Sequence, residues 1–247
     1  MAYRPDFDSP LIRGIDIDPR PWDLQAEILA TVHPYDNLLD IGCGTGVKLL
    51  PIAEAVRSVV GLEPNAGMRR RAVERVARAS LTNVSIVEGS CEELPYGDSS
   101  FDVVACMMAP HDTSEVHRVL KPGGVAILEK LGEQDKNVLK ACFPPDKSGA
   151  RGQLASLRPN ERAAIYRDAF RTLFSKAEVR SGFWSTLLTP EGLDLLLAQT
   201  PTIRDFDPIN DRASVQKVKD RLMTPDGLIK ITQHRLLITA TKELIDD

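Results

Sequence analysis

Short apolar runs alternate with segments of helical periodicity in the first half of the chain. Runs rich in Val, Ile and Leu predict strands, which we place at residues 37–41, 58–62, 84–87, 101–107 and 125–131. Apolar residues three and four positions apart predict helices between them, at residues 22–33, 47–56, 65–79 and 114–120. Such alternation is typical of βαβ units that build a mostly parallel sheet.

The second half of the chain carries a different pattern. Residues 132–157 contain two consecutive prolines and several glycines, so we expect a surface excursion rather than regular structure there. A helix is predicted to begin after Thr189, whose hydroxyl can cap it, with Pro190 in the first position. Periodicity predicts further helices at 159–174 and 211–222 and strands at 178–187 and 228–241.

Length and composition indicate a folded protein of one large domain or two small ones. The 247 residues include 31 Lys+Arg and 35 Asp+Glu, and the net charge of −4 disfavours a protein that coats nucleic acid or an anionic membrane. No apolar run approaches the roughly 18 residues that span a bilayer. The first residues lack the apolar stretch of a secretory signal, so we expect a cytoplasmic protein.

The spacing of the cysteines bears on metal binding and on compartment. Cys43, Cys91, Cys106 and Cys142 form no CxxC pair. Structural zinc sites and dense disulfide frameworks are built on closely spaced cysteines, so we expect neither, and no metal site is predicted.

The most informative stretch is Leu38-Leu-Asp-Ile-Gly-Cys-Gly-Thr-Gly46, a strand that runs into three glycines and then into a helix. Glycines let a ligand approach the backbone, and the N–H groups at a helix start favour negative charge. Glu63 ends the next strand 21 positions after Gly42, the spacing at which a carboxylate binds ribose hydroxyls. The GxGxG spacing fits neither a nicotinamide fingerprint nor a P-loop. A nucleotide-like ligand of another kind is therefore predicted here.

Four further motifs follow or overlap this stretch. The full set is Leu39-Asp-Ile-Gly-Cys-Gly-Thr-Gly46, Val60-Gly-Leu-Glu-Pro64, Val87-Glu-Gly-Ser-Cys-Glu-Glu-Leu-Pro95, Ser100-Phe-Asp-Val-Val104 and His117-Arg-Val-Leu-Lys-Pro-Gly-Gly124. With these five motifs in this order, the chain resembles the class I S-adenosylmethionine-dependent methyltransferases over about residues 36 to 131. The resemblance is in particular to the small bacterial enzymes related to the ubiquinone and biotin pathway methyltransferases.

The resemblance implies an α/β fold of the Rossmann-like type. Its seven-stranded, mostly parallel sheet would end in an antiparallel hairpin and carry helices on both faces. We expect one domain over residues 1–247, made of a cap, a cofactor-binding core, a region with lid-like substrate segments, and a last strand with its tail. These parts would cover residues 1–36, 37–131, 132–227 and 228–247.

The resemblance also implies the cofactor S-adenosyl-L-methionine, with S-adenosyl-L-homocysteine as its product. The backbone of Gly42, Cys43 and Gly44 would lie against the methionine part of the cofactor. Asp40 would help to hold its amino group, and Met107 would lie near the cofactor at the end of its strand.

The adenosine part of the cofactor would contact a second group of residues. By the same resemblance, Glu63 would hold the ribose, and Pro64 and Met68 would lie against the adenine. Ser90 and Cys91 would border the adenine edge. Relatives commonly have Asp where this chain has Ser90, and a hydroxyl accepts a hydrogen bond more weakly than a carboxylate, so weaker cofactor binding is expected.

His111 is the candidate catalytic residue. It follows the strand 101–107 at the carboxyl edge of the sheet, where open α/β folds bind ligands, and its pKa suits a general base. The alternative is a loop histidine that hydrogen-bonds nearby backbone. Asp112 either orients His111 or, as we favour, caps the short helix that follows.

Segments outside the cofactor-binding core are expected to cover the pocket for the methyl acceptor. They are residues 1–30, 132–157 and 187–227, and side chains of interest in or near them are Tyr3, Phe7, Arg13, Trp22, Phe143, Phe183 and Trp184. Aromatic side chains there could wall a small apolar substrate, and ordinary packing is the alternative for each.

The expected function is methyl transfer to an oxygen or nitrogen of a small-molecule acceptor by a monomer or homodimer. An RNA methyltransferase and a non-catalytic adenosyl-binding protein are the alternatives. Five arginines crowd the helix predicted at 65–79, namely Arg69, Arg70, Arg71, Arg75 and Arg78. We favour a solvated face there over an RNA-binding one, because the protein as a whole is acidic.

Overall fold

A computed structural model describes residues 9–244 of the protein. The elements of this part of the chain are α1 Pro10–Arg13, β1 Ile15–Asp16, α2 Leu24–Leu29, β2 Asn37–Ile41, α3 Leu49–Ala53, β3 Ser58–Leu62, α4 Ala66–Arg78, β4 Val84–Val87, β5 Phe101–Met107, α5 Thr113–Val119, β6 Leu120–Leu131, α6 Asn137–Lys140, α7 Glu161–Leu173, β7 Lys176–Leu188, α8 Pro190–Gln199, α9 Arg212–Leu222 and β8 Ile229–Thr241.

The strands hydrogen-bond in the order β1-β7-β8-β6-β5-β2-β3-β4. The pairs β2–β3, β2–β5, β3–β4 and β5–β6 are parallel, whereas β1 and β7 are antiparallel. The Rossmann-like α/β fold, with its mostly parallel sheet, is thus confirmed. The sheet has eight strands rather than the seven expected, because the two-residue strand β1 pairs with the end of β7.

The order of the parallel strands places a crevice at the end of β2. The chain passes from β2 through β3 to β4 on one side, and β5 and β6 then lie on the other side of β2. In open α/β sheets, ligands bind beyond the carboxyl ends of the strands at such a reversal. The glycine-rich turn follows β2 directly and therefore lies at this crevice.

Several elements differ in length from the prediction. Helix α3 covers only Leu49–Ala53 of the predicted 47–56. Helix α2 begins after Asp23, whose carboxylate accepts the N–H groups of Gln25 and Ala26. Strand β6 begins at Leu120 rather than at residue 125. The expected excursion after β6 contains one short helix, α6.

Two compact units make up the described chain, and each is described by itself. The parallel-sheet unit comprises residues 22–130, 163–180 and 236–244, and the second unit comprises residues 9–21, 131–162 and 181–235.

Apolar side chains cover both faces of strand β2 in the parallel-sheet unit. Leu39 and Ile41 belong to a buried cluster with Phe170 of α7. Leu38, which points to the opposite face, belongs to another cluster with Ile52 of α3. Successive strand residues point to opposite faces, so an unbroken apolar run is what a strand buried on both faces requires.

The core of the second unit is built around α8. Its residues Leu193 and Leu197 are buried in a cluster with Leu139 of α6 and Ile231 of β8. Thr189 caps α8 as predicted, because its hydroxyl accepts the N–H of Gly192 at 3.0 Å.

Candidate cofactor-binding and active site

The turn after β2 needs glycine at three positions. Gly42, Gly44 and Gly46 have φ angles of 73°, 59° and 74°, in the left-handed region that other residues rarely adopt. Gly42 also has no room for a side chain, since an added Cβ would lie 2.2 Å from the Cβ of Ala109. The N–H groups of Gly42 and Cys43 both donate to the Leu62 carbonyl oxygen, at 2.8 and 3.0 Å. The turn is therefore held tightly against the end of β3.

Glu63 ties the glycine turn to the loop after β3. Its Oε2 accepts the N–H of Gly44 at 2.9 Å, and its Oε1 accepts the N–H of Asn65 at 2.8 Å. The side chain is buried, with an exposed fraction of 6%. A carboxylate has about four lone-pair sites, so two sites remain for hydroxyl donors of a ligand.

Asp40 places a second buried carboxylate at the end of β2. Its exposed fraction is 8%, and no group among residues 9–244 donates a hydrogen bond to its side chain. Burial raises the pKa of Asp40 to about 7; nearby Lys48 opposes the rise, and the Glu63 carboxylate adds to it. A ligand cation would stabilise the ionised form of this carboxyl group.

Two of the five arginines of α4 support these loops, which the sequence did not indicate. Arg69 donates to the carbonyl oxygens of Glu63 at 2.9 Å and of Pro64 at 3.0 Å. Arg75 donates to the carbonyl oxygen of Thr45 in the glycine turn. The side chains of Arg70, Arg71 and Arg78 are exposed, as a solvated face requires, whereas those of Arg69 and Arg75 are half-buried.

The residues expected near the adenine differ in exposure. Met68 is buried in the first turn of α4, Cys91 is half-buried, and Pro64 is exposed. Ser90 is exposed, and its hydroxyl donates to the carboxylate of Glu92. That proton is thus used, and one lone pair of the Ser90 oxygen accepts the N–H of Glu92 at 3.2 Å. One lone pair remains for the acceptor role that the resemblance assigns to Ser90.

The turn after β5 is anchored from β6. Met107 is half-buried at the end of β5, and Met108 follows with a φ angle of 59°. The buried ammonium group of Lys130 donates to the carbonyl oxygen of Ala109 at 2.6 Å and to the sulfur of Cys106 at 2.9 Å. Sequence reasoning gave Lys130 no role, because it assigned this position only to the end of a strand.

His111 lies half-buried in an aromatic environment. Its ring centroid is 5.7 Å from that of Tyr166 and 5.6 Å from that of Phe170. Its Nε2 is 3.4 Å from the hydroxyl of Thr113. Asp112 caps α5 by accepting the N–H groups of Ser114 and Glu115, so its predicted capping role is confirmed.

Most of the described side chains expected to line an acceptor pocket are packing residues. Trp22, Phe143 and Trp184 are buried. The indole N–H of Trp22 donates to Glu129 at 2.8 Å, which fixes the ring. Phe183 remains exposed, as does Arg13. Tyr3 and Phe7 lie outside the described residues.

His234 is a buried residue of the second unit that sequence reasoning left without a role. Its Nδ1 accepts the N–H of Gln134 at 3.1 Å, so in the neutral ring the proton lies on Nε2, which is 2.9 Å from the Ser181 hydroxyl. Burial lowers the pKa of His234 and keeps the ring neutral. Because Nε2 carries the proton, His234 cannot serve as a base toward Ser181 in this arrangement.

Two kinds of feature are lacking in the part of the chain that the structure describes. Within residues 9–244, no group of three or more His, Cys, Asp or Glu side chains is arranged to hold a metal ion. None of the helices in this part of the chain is long and apolar enough to cross a membrane.

Known proteins share sequence similarity with the part of the chain that contains the glycine turn. Residues 38–124 match a family described as a methyltransferase domain. This part of the chain is thus similar to methyltransferase domains, and it contains the glycine turn. A demethylmenaquinone methyltransferase of Shouchella clausii is 35% identical over 122 residues, which are 45% of this chain and 52% of the relative. An uncharacterized methyltransferase of Synechocystis is 35% identical over 109 residues, 40% of this chain and 49% of the relative.

The chain spans about half the length of these relatives. Among solved structures, YcgJ of Bacillus subtilis has a TM-score of 0.63 at 20% identity, covering 89% of this chain and 98% of its own. The [4+2]-cyclase SpnF has a TM-score of 0.59 at 18% identity, covering 97% and 94%. These likenesses show the fold, and a fold hosts more than one reaction.

Proposed function

We propose that the protein transfers a methyl group from S-adenosyl-L-methionine to an oxygen or nitrogen of a small-molecule acceptor and releases S-adenosyl-L-homocysteine. The observation that carries this proposal is the pair of buried carboxylates, Asp40 and Glu63, at the carboxyl ends of two neighbouring strands. The glycine turn lies beside both of them.

The chemistry of these groups fits the cofactor part by part. Asp40 offers a buried carboxylate without a hydrogen-bond donor among residues 9–244, which suits the ammonium group of the methionine part. Glu63 retains acceptor sites for the two ribose hydroxyls. The glycine turn lets the methionine part lie directly against the backbone of Gly42, Cys43 and Gly44.

The protein's task in this reaction is mainly geometric. The cofactor, when bound, would supply an electrophilic methyl group on a sulfonium, whose C–S bond breaks as the acceptor bonds to the methyl carbon and S-adenosyl-L-homocysteine leaves. The chain must align the acceptor and exclude water. Where the acceptor loses a proton, we propose that His111 takes it, since it follows β5 at the carboxyl edge of the sheet and its ring lies near Tyr166 and Phe170 of α7.

A small-molecule acceptor is supported by two observations. The relatives named as demethylmenaquinone methyltransferases act, by that name, on a small molecule. The arginine-rich helix α4 gives less support to RNA than its composition suggests, because Arg69 and Arg75 donate to backbone carbonyls of their own unit.

Cofactor binding is tested by titration calorimetry with S-adenosyl-L-methionine. We expect saturable binding that Glu63→Ala weakens by about tenfold or more, because it removes a buried acceptor. Glu54→Ala removes an exposed carboxylate of the same unit and is the matched control. Unchanged affinity in Glu63→Ala would contradict the assignment.

The acceptor class is tested with methyl-labelled S-adenosyl-L-methionine and a deproteinised extract of the source cells. Label that passes a small-pore filter supports a small-molecule acceptor and provides a product to identify. Label that is retained and released by ribonuclease identifies RNA instead. Cofactor binding without label transfer to either fraction indicates an adenosyl-binding protein that does not methylate.

A further inference from the structure

The second unit contains a cavity of about 330 Å³ that the proposed function does not use. Its walls come from the loop after β6, from α6, from β7, from the end of α9 and from the start of β8. The lining includes Lys136, Val138, Phe183, Leu222 and Lys230. A volume of this size is within the range of small-molecule sites in proteins.

The charge of this cavity is one-sided. Its lining includes two lysines, Lys136 and Lys230, and no acidic residue, although the chain as a whole has a net charge of −4. Lys230 is exposed and forms no ion pair with a carboxylate among residues 9–244, although its charge adds to the hydrogen bonds from Ser185 that lower the pKa of the Asp18 carboxyl group. The lining therefore presents positive charge to whatever enters.

Buried charges around Lys136 add to this excess. Three basic groups, Lys136, Lys140 and Arg235, are buried near two acidic ones, Glu133 and Asp135. The group therefore carries one more positive than negative charge. Burial lowers the pKa of Lys136, and it lowers that of Lys140 to about 8. Asp135 opposes both shifts, while Arg235 adds repulsion at both lysines. An anion in the cavity would offset this unfavourable charge.

Lys136 is fixed in a conformation that uses only part of its hydrogen-bonding capacity. Its φ angle is 52°, which is costly for a residue with a side chain. Its ammonium group donates to Asp135 at 2.7 Å and to Gln233 at 3.0 Å. An ammonium group has three donors, so one donor remains for a ligand.

One wall of the cavity is a rigid aromatic ring. Phe183 stacks on His234 with ring centroids 4.0 Å apart and an interplanar angle of 9°. His234 is itself held by Gln134 and Ser181, so the stacked pair cannot easily turn. Phe183 nevertheless keeps 47% of its surface exposed. An exposed, immobilised ring suits contact with a second planar group.

We propose that this cavity binds a small molecule with a planar apolar body and one anionic group, a carboxylate or a phosphate monoester. The planar body would lie against Phe183, with Val138 and Leu222 around it. The anionic group would face Lys136 and Lys230. The proposal does not depend on S-adenosyl-L-methionine, and its test contains none, so its failure and the failure of the proposed function are separate results.

The test uses 2-naphthoate as the probe in titration calorimetry with the full chain. We expect one saturable site. The uncharged 2-naphthamide should bind at least about tenfold more weakly, because it lacks the charge-assisted hydrogen bonds. Cyclohexanecarboxylate, which keeps the charge and lacks the planar ring, should also bind more weakly. A parallel titration with 2-naphthyl phosphate shows whether the site prefers a carboxylate or a phosphate monoester.

Three variants locate the site. Lys230→Met should weaken 2-naphthoate binding about two- to fivefold, as an exposed charge does, and Phe183→Leu about two- to tenfold. Lys136→Met should weaken it about tenfold or more. Lys136 is also the buried ion-pair partner of Asp135, so Lys136→Met can fail to fold. In that case Lys230→Met and Phe183→Leu, at exposed positions, still test the proposal. Lys217→Met changes an exposed lysine of α9 outside the cavity and is the matched control.

Three results would overturn the proposal. The first is the absence of saturable binding by both the carboxylate and the phosphate at millimolar concentration. The second is equal binding of 2-naphthamide and 2-naphthoate, which would show that the lysines do not recognise charge. The third is 2-naphthoate binding that neither Lys230→Met nor Phe183→Leu weakens, which would place the site elsewhere.

Discussion

The ammonium group of Lys130 donates to the carbonyl oxygen of Ala109 at 2.6 Å, although the two residues are 21 positions apart. Ala109 in turn lies so close to Gly42 that no side chain fits between them. The end of β6 therefore supports the turn after β5, and that turn packs against the glycine turn after β2.

Removing this support should cost stability. Lys130→Met keeps the length of the side chain and leaves the Ala109 carbonyl without its charged donor, so we expect the free energy of unfolding to fall by about 1–3 kcal/mol. Chemical denaturation measures the change. Lys176→Met, at an exposed position of β7 in the same unit, should have little effect. Equal stability of the two variants would show that the Lys130 contact is dispensable.

A comparison of Gly42→Ala with Gly227→Ala separates the cost of the left-handed backbone conformation from the cost of close packing. Gly227 has nearly the same φ angle, 76° against 73°, but an added Cβ there meets nothing within 4 Å. Gly227→Ala should therefore cost about 1 kcal/mol for its left-handed backbone alone. Gly42→Ala should cost at least about 1–3 kcal/mol more, because the new methyl group overlaps Ala109. Similar losses in the two variants would show that the packing at Gly42 is not restrictive.

Binding of S-adenosyl-L-methionine should depend on pH through Asp40. The pKa of this carboxyl group is raised to about 7, and its ionised form is the one that a cationic ligand prefers. The association constant should therefore fall as the pH falls below 7, approaching about tenfold per pH unit. Calorimetry between about pH 5.5 and pH 7.5 tests this. In Asp40→Asn the affinity should be low and the slope should disappear; an unchanged slope would point to another group.

The same substitution should stabilise the protein without ligand. The pKa of Asp40 is higher in the folded chain, about 7, than its ordinary value of 3.8. The folded state thus binds more protons in this range, and the Asp40 contribution to stability falls as the pH rises from about 4 to about 7. At about pH 8, the free energy of unfolding of Asp40→Asn should exceed that of the parent protein by about 2 kcal/mol. Denaturation at about pH 4 is the control, since there the difference should be small.

His111→Gln tests the proposed general base. If His111 accepts the proton of the acceptor, kcat should fall by about 10²–10⁴ while the affinity for S-adenosyl-L-methionine stays the same. The pH dependence of kcat should also lose the limb that reports the imidazole. The exposed His33→Gln provides the comparison. Full turnover by His111→Gln would remove the histidine from the mechanism.

The local pattern of apolar residues was sufficient to predict the strands at the centre of the sheet. Strands β2, β3, β4 and β5 have the predicted bounds, because each is an apolar run ended by polar or turn-forming residues. Strand β1 was missed because it has two residues, and Asp16 finds its partner Thr186 only 170 positions later. A pairing of that kind depends on the fold and leaves no local signal.

The residues of the candidate site likewise divide into those that the sequence indicates and those whose roles depend on the fold. Glu63 was predicted from its spacing of 21 positions after Gly42, and Asp40 from the resemblance. Lys130 and Arg75 were not, because their roles depend on carbonyl oxygens brought near by the turns of other loops. The burial of His234 likewise follows from its packing against Phe183 and Gly132, which sequence periodicity does not reveal.

The two hydrogen bonds of Glu63 also bear on how the site responds to a ligand. They connect the glycine turn and the loop at Asn65 in the protein alone. Both loops thus lose their conformational entropy during folding rather than during binding, and the site is preorganised. Fragments such as adenosine or methionine would meet the same backbone geometry as a complete ligand, so neither fragment has to order the loops for the other.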